Sequence, residues 1–173
     1  MIFSPGAFGP AAAGRALTAA VLMALLAFGS PSKPAWAESQ AVVVEQAEFL
    51  VSVDDGQGRE RRIRADIVPF LPNRACFGWQ IKLSDAPPVI RYREVLTLPS
   101  APKFWSGEND EYSSHRFSAD RTTATTEEFA APKDGWLSSR WCIAEGDPTG
   151  PHSIDVYIDD RLARRFEFEV RAP

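Results

Sequence analysis

Cysteine, methionine and histidine are scarce, with two of each in 173 residues. Both methionines, Met1 and Met23, lie in the first quarter of the chain, so residues 38–173 offer no thioether. Cys76, Cys142, His115 and His152 are far apart in sequence, and a tetrahedral zinc site needs clustered nitrogen and sulfur ligands. Copper(I) would want soft ligands that a disulfide removes. No metal and no cofactor are expected on these grounds. Basic excess is missing too: 19 lysines and arginines face 23 acids, for a formal charge of -4. That balance argues against binding nucleic acid or an anionic membrane surface. There is no Gly-x-Ser-x-Gly, the turn on which many hydrolases mount a nucleophile.

Long apolar runs are also lacking. The longest, Ala16 to Phe28, is about 13 residues, whereas a bilayer core needs about 20. Arg15 precedes it, helix breakers (GSPSKP) follow, and Ala35-Trp36-Ala37 supplies an A-x-A processing site. This pattern predicts a cleavable signal peptide over residues 1–37, an uncleaved anchor being the alternative. No cysteine follows the run, so a lipoprotein anchor has no attachment point, and no stable membrane anchor is expected. Residues 38–173 then form one domain, periplasmic or secreted. It is about 136 residues long, enough to fold alone. Losing Arg15 and Lys33 takes the formal charge from -4 to about -6. In an oxidising compartment Cys76 and Cys142 read as one disulfide, the other reading being two separate buried thiols. The bridge would close a loop of about 65 residues, worth about 4 kcal/mol by chain entropy.

What is present is alternation. Ala47, Phe49, Val51 and Val53 share one strand face. Asp54-Asp55-Gly56-Gln57-Gly58 is turn chemistry. Arg61 to Val68 places Ile63, Ala65 and Ile67 inward. Cys76 to Leu83 sets Phe77, Trp79, Ile81 and Leu83 against Gly78, Gln80 and Lys82, the pattern of a central strand. Val89 to Leu98 is another strand. From Ser100 to Pro132 the signal is weak: a polar loop, Ser106 to His115, then a strand or two around Arg116 to Phe129. Trp141 and Ile143 share a face, and Trp79 and Trp141 have core parity. Ile154, Val156 and Ile158, a turn at Asp159-Asp160-Arg161, then Phe166, Phe168 and Val170 make a hairpin, although the turn lacks the usual glycine. Seven to eight short strands with no crossover helix predict an all-β, antiparallel sandwich.

The tail, Trp141-Cys142 … Gly146-Asp147-Pro148-Thr149-Gly150-Pro151-His152 through Ile158 to Phe166-Glu167-Phe168-Glu169-Val170, resembles the closing hairpin of bacterial exported immunoglobulin-like domains. The middle, Cys76-Phe77-Gly78-Trp79 and then Val95 to Pro99, resembles the uncharacterised DUF3859 family. These resemblances imply an immunoglobulin-like sandwich and carry over no catalytic residue. They also suggest tryptophans packed on a Cys76–Cys142 bridge.

Function is then sought on loops. The segment Lys103 to His115 departs from alternation and gathers Phe104, Trp105, Asp110, Tyr112 and His115. Exposed aromatics beside carboxylates suit a sugar, a peptide or a protein partner. The expectation is a non-catalytic interaction domain that binds an unknown protein, peptide or envelope component there, Trp105 as a cover for the sandwich end being the structural alternative. The rival is a small envelope hydrolase using His115 with Ser113 or Ser114 beside Asp110 and Glu111. A purely structural or assembly role is the third reading. Acidic runs at Asp54–Gly58 and Glu108–Glu111 lack the spacing of a calcium loop and read as solvated turns. The arginines of Arg59 to Arg64, like Arg91 and Arg93, read as the polar face of a strand, a site for an acidic partner or a polyanionic glycan being the alternative. His152 reads as a surface or corner residue.

Overall fold

A computed structural model describes residues 42–108 and 110–172; the signal peptide expected at 1–37 lies outside them. Ser39–Pro173 makes one compact unit. Among the described residues there are ten strands and no helix: β1 (Val43–Asp54), β2 (Glu60–Arg64), β3 (Ile67–Pro69), β4 (Ala75–Ser84), β5 (Ile90–Thr97), β6 (His115–Phe117), β7 (Thr123–Ala130), β8 (Trp136–Cys142), β9 (Gly150–Ile158) and β10 (Arg161–Arg171). They form a four-stranded sheet, β2-β1-β4-β8, and a six-stranded sheet, β3-β10-β9-β5-β7-β6. The all-β sandwich read from alternation is therefore present. Its strand number exceeds seven to eight because β3 and β6 are three-residue pieces at sheet edges. One pairing is parallel, β3 on β10.

Period-two patterning builds the core directly, because successive side chains on a strand point to opposite faces. In β4, Phe77, Trp79, Ile81 and Leu83 are buried, and in β1 Val51 joins them. The six-stranded sheet answers with Ile90, Tyr92 and Leu96 of β5, Ile154, Val156 and Ile158 of β9, and Phe166, Phe168 and Val170 of β10. Each such side chain contributes about 1.5–3 kcal/mol by leaving water. The β9–β10 hairpin closes through Asp159 and Asp160, both left-handed with φ of 47° and 62°. Aspartate tolerates that region better than most residues, so the turn forms without glycine.

Three details depart from expectation. Ile63 and Ile67 are not covered: Ile63 keeps 45% of its surface exposed, because β2 sits at the sheet edge beyond the reach of the facing sheet. Val68 takes the buried place in that segment. Second, the Cys76–Cys142 disulfide exists, but it joins directly opposed residues of neighbouring strands β4 and β8 in one sheet rather than linking the two sheets. Its cysteines share parity with Gly78 and Gln80, opposite to Trp79 and Trp141, so the tryptophans do not pack on it as the resemblance suggested. Third, His152 is buried, an inward residue of β9 rather than a surface corner.

Candidate functional site

After β5 the chain runs through Leu98 and Pro99 into the segment that precedes β6, and turn chemistry shapes it. The Glu108 N–H donates to the Trp105 carbonyl at 3.3 Å, Asp110 N–H to Gly107 at 3.1 Å, and Ser113 N–H to Asp110 at 3.0 Å. Gly107 is left-handed (φ 76°), and a Cβ there would meet Ser113 Oγ at 2.7 Å. The Asp110 carboxylate accepts the Tyr112 N–H at 2.9 Å. Arg121 clamps both oxygens of Glu108 through its guanidinium, tying the turn to the strand that follows.

This geometry divides the five expected binding residues. Phe104 is half-exposed and Tyr112 almost fully exposed, at 88%, with Asp110 also at the surface. Trp105 is 7% exposed. It stacks on Phe117 at 5.2 Å, meets the edge of Trp141 at 6.0 Å, and donates its indole N–H to the Arg121 carbonyl at 2.9 Å. Trp105 is thus a cover for the sandwich end, not an exposed contact residue. A large apolar ring finds more area under the loop than outside it. His115 opens β6 facing inward, its ring 4.9 Å from Trp141 and its Nδ1 2.7 Å from Thr126 Oγ1.

Beside Trp105 a partly open pocket of about 80 Å³ enters the end of the sandwich. Leu96, Leu98 and Phe77 make its floor, Trp141 and Ile143 a wall, and Phe104 its exposed rim. Asp147 and His152 supply the polar side. Asp147 accepts the Ala144 N–H at 2.7 Å; burial nevertheless raises its pKa above the ordinary carboxylate value. Burial likewise depresses the His152 pKa, against the 2.9 Å hydrogen bond from Nδ1 to the Gly150 carbonyl. His152 also stacks on Phe168 at 5.3 Å. A concave apolar site with a few fixed polar groups is the usual form of a ligand pocket.

Leu96, Ile143, Asp147 and His152 were not among the binding residues expected from sequence. His152 was within reach of it, since its parity matches Ile154, Val156 and Ile158. Asp147 lies in a turn, where nothing in the pattern marks it.

The alternative constellations are engaged elsewhere. Ser113 Oγ accepts the backbone N–H of His115 at 3.1 Å, and Ser114 Oγ donates to Glu128 at 2.9 Å. The imidazole Nδ1 is held by Thr126, so no hydrogen bond joins the ring to either serine among the described residues. Asp54 and Asp55 cap their own turn, accepting the N–H groups of Gly56 at 2.6 Å and Gln57 at 2.8 Å. Arg91 pairs with Glu127 and Asp160, and Arg93 lies 3.8 Å over the Tyr157 ring, which fits a strand's polar face.

The family model of the PM0630 beta sandwich domain matches residues 47–171. The chain belongs to the PM0630 beta sandwich domain family. The matched span takes in the pocket and all of β2 to β10. Among solved structures, an immunoglobulin-like protein from Pseudomonas aeruginosa is similar at 15% identity and a TM-score of 0.49, covering 78% of this chain and 99% of its own. The human F-spondin reeler domain is similar at 14% identity and a TM-score of 0.26, covering 73% and 81%. No curated protein matches the chain. The PM0630 match and the two facing sheets agree with the immunoglobulin-like sandwich expected from the closing hairpin; the matching family is not described as DUF3859.

Proposed function

We propose that this PM0630 beta sandwich domain is a non-catalytic interaction domain of the periplasm or the extracellular medium, which binds a protein, peptide or envelope component at the sandwich end rimmed by Phe104. One observation carries the reading: an apolar pocket enters the core there, with a half-exposed aromatic at its mouth. An exposed aromatic beside a desolvated pocket is the usual makeup of an interface anchor. Tyr112 and Asp110 extend the same loop and supply polar contacts outside the pocket. The disulfide fits an oxidising, extracytoplasmic setting.

The test is capture of cross-linked partners from the native extracytoplasmic fraction. Wild type is compared with Phe104→Ala/Tyr112→Ala, and with Phe129→Ala as an exposed aromatic on another surface. Partner recovery should fall several-fold only in the double variant, at unchanged thermal stability. Equal recovery in all three removes this end of the sandwich from the reading.

A further inference from the structure

We propose that the pocket beside Phe104 receives a lysine side chain of the bound partner, its methylene stem against Trp141 and Ile143 and its ammonium on the Asp147 carboxylate. That assignment rests on the pocket being a recognition site, as proposed above, and specifies the group that enters it. Shape, charge and the placing of the polar group each select lysine.

The pocket admits a chain better than a ring. It holds about 80 Å³, whereas an apolar cavity of about 150 Å³ is known to take benzene. An aromatic side chain would have to push Trp105 or Trp141 aside. Both are fixed, Trp105 by its indole bond to the Arg121 carbonyl at 2.9 Å and Trp141 by its indole bond to Glu94. An unbranched chain of methylenes asks for no such movement.

Charge then selects what ends the chain. Asp147 is the one carboxylate lining the pocket, and no lysine or arginine lines it among the described residues. Its Oδ2 accepts the Ala144 N–H at 2.7 Å, while Oδ1 has no donor among the described residues. Since every fully buried side-chain polar atom there has a partner, Oδ1 is reachable from outside. Lys103 shares this turn through its N–H bond to the Gly146 carbonyl at 3.0 Å. Its stem packs over Gly146, however, and its ammonium stays beyond 4.0 Å of Asp147. Burial raises the Asp147 pKa with no cation to offset it, so an incoming cation meets an uncompensated charge. The chain as a whole is acidic, which favours a basic partner as well.

Asp147 is half-buried at the polar side of an apolar floor and wall. Lysine suits that layout, because its stem covers apolar surface while its compact charge stays at the polar margin. Arginine ends in a wider planar fork.

The probes are short capped glycine peptides with a central lysine, norleucine or arginine, titrated into isotope-labelled protein. The lysine peptide should shift the indole resonances of Trp105 and Trp141 and the amides of Ala144 and Asp147. It should bind roughly tenfold or more tightly than the norleucine peptide, which has the same stem without the charge. Asp147→Asn retains an acceptor for the Ala144 N–H, so it should abolish that advantage at unchanged Tm and leave norleucine binding as it was. Lysine is overturned, with the pocket still a recognition site, if norleucine or arginine binds wild type as tightly, or if Asp147→Asn binds the lysine peptide normally. It is overturned likewise if an uncapped peptide beginning with norleucine matches the lysine peptide, which would assign Asp147 to a chain N-terminus. If no peptide shifts the pocket, lysine and the recognition reading of this pocket fall together.

Discussion

Glu94 of β5 and Trp79 of β4 meet across the sandwich, the indole N–H donating to one carboxyl oxygen of a glutamate with no exposed surface. Trp141 of β8 donates its indole N–H to the other oxygen. One carboxyl group therefore holds two tryptophans of the opposite sheet, and no fully buried side-chain polar atom among the described residues lacks a partner. Glu94→Gln keeps the shape but turns one acceptor into a donor facing an indole N–H. It should cost about 1–3 kcal/mol. Glu94→Ala orphans both indoles and opens a void, and should cost roughly 3–5 kcal/mol. Urea unfolding measures both; wild-type stability in either variant would contradict the bridge.

The Cys76–Cys142 bridge spans 66 residues of sequence and should supply stability by restricting the unfolded chain. Cys142 is exposed while Cys76 is buried, so a reductant has access from one side. Reduction, or the double change to alanine, should cost about 2–5 kcal/mol and lower the Tm in calorimetry. Mass spectrometry of the protein purified without reductant should find no free thiol; two free thiols would refute the bridge.

Gly78 faces the backbone of β8. A Cβ there would stand 2.1 Å from the Ser139 carbonyl oxygen, so Gly78→Ala must push one strand off the other. The expected loss is about 1–3 kcal/mol or more. Gly58 is the comparison: nothing lies within 4 Å of its position, and only its φ of 78° opposes a side chain. Gly58→Ala should cost about 1–2 kcal/mol. If Gly78→Ala proves the milder change, the close approach of β4 and β8 is wrong.

Much of the fold was legible because its central strands have two different faces. Phe77, Trp79, Ile81 and Leu83 could only sit together, and the β9–β10 hairpin repeats that logic. Alternation says which residues share a face but not whether another sheet covers it. Ile63 shows the difference, for it alternates correctly on β2, an edge strand that nothing roofs. Glu94 was legible but unread: it shares parity with Tyr92 and Leu96, and a charged residue at a core position is itself a signal. The sandwich end was less legible, because Trp105 and Asp147 come from loops without a period and meet only in three dimensions.

His152 makes stability depend on pH in a defined window. In the unfolded chain its ring takes a proton near pH 6.5, and burial pushes that value down in the fold. On acidification the unfolded state gains the proton first, so the fold loses stability as pH drops below 6.5. The loss levels off once the folded-state ring titrates as well. Above 6.5 the ring contributes no pH dependence. Asp147, raised by burial, acts in a lower window with the opposite sign, favouring the fold when protonated. Urea unfolding between pH 7.5 and about 5.5 should therefore show a steeper decline in wild type than in His152→Gln. Parallel declines would mean that the ring is not desolvated.

Phe104 and Trp105 are neighbours in sequence with opposite environments, and their variants should separate recognition from stability. Trp105 is buried, stacked and hydrogen-bonded to the Arg121 carbonyl. Trp105→Ala removes that packing and should cost about 3–5 kcal/mol. Trp105→Phe keeps a stacked ring but orphans the carbonyl, for about 1–2 kcal/mol. Phe104 keeps 49% of its surface exposed at the pocket mouth, so Phe104→Ala should change stability by no more than about 1 kcal/mol. A binding defect seen with Trp105→Ala alone would therefore report unfolding of the sandwich end. The same defect with Phe104→Ala, at unchanged Tm, would report lost contact with the partner. If Trp105→Ala proves as stable as wild type, the ring is not the cover of the core, and the pocket beneath it loses its wall.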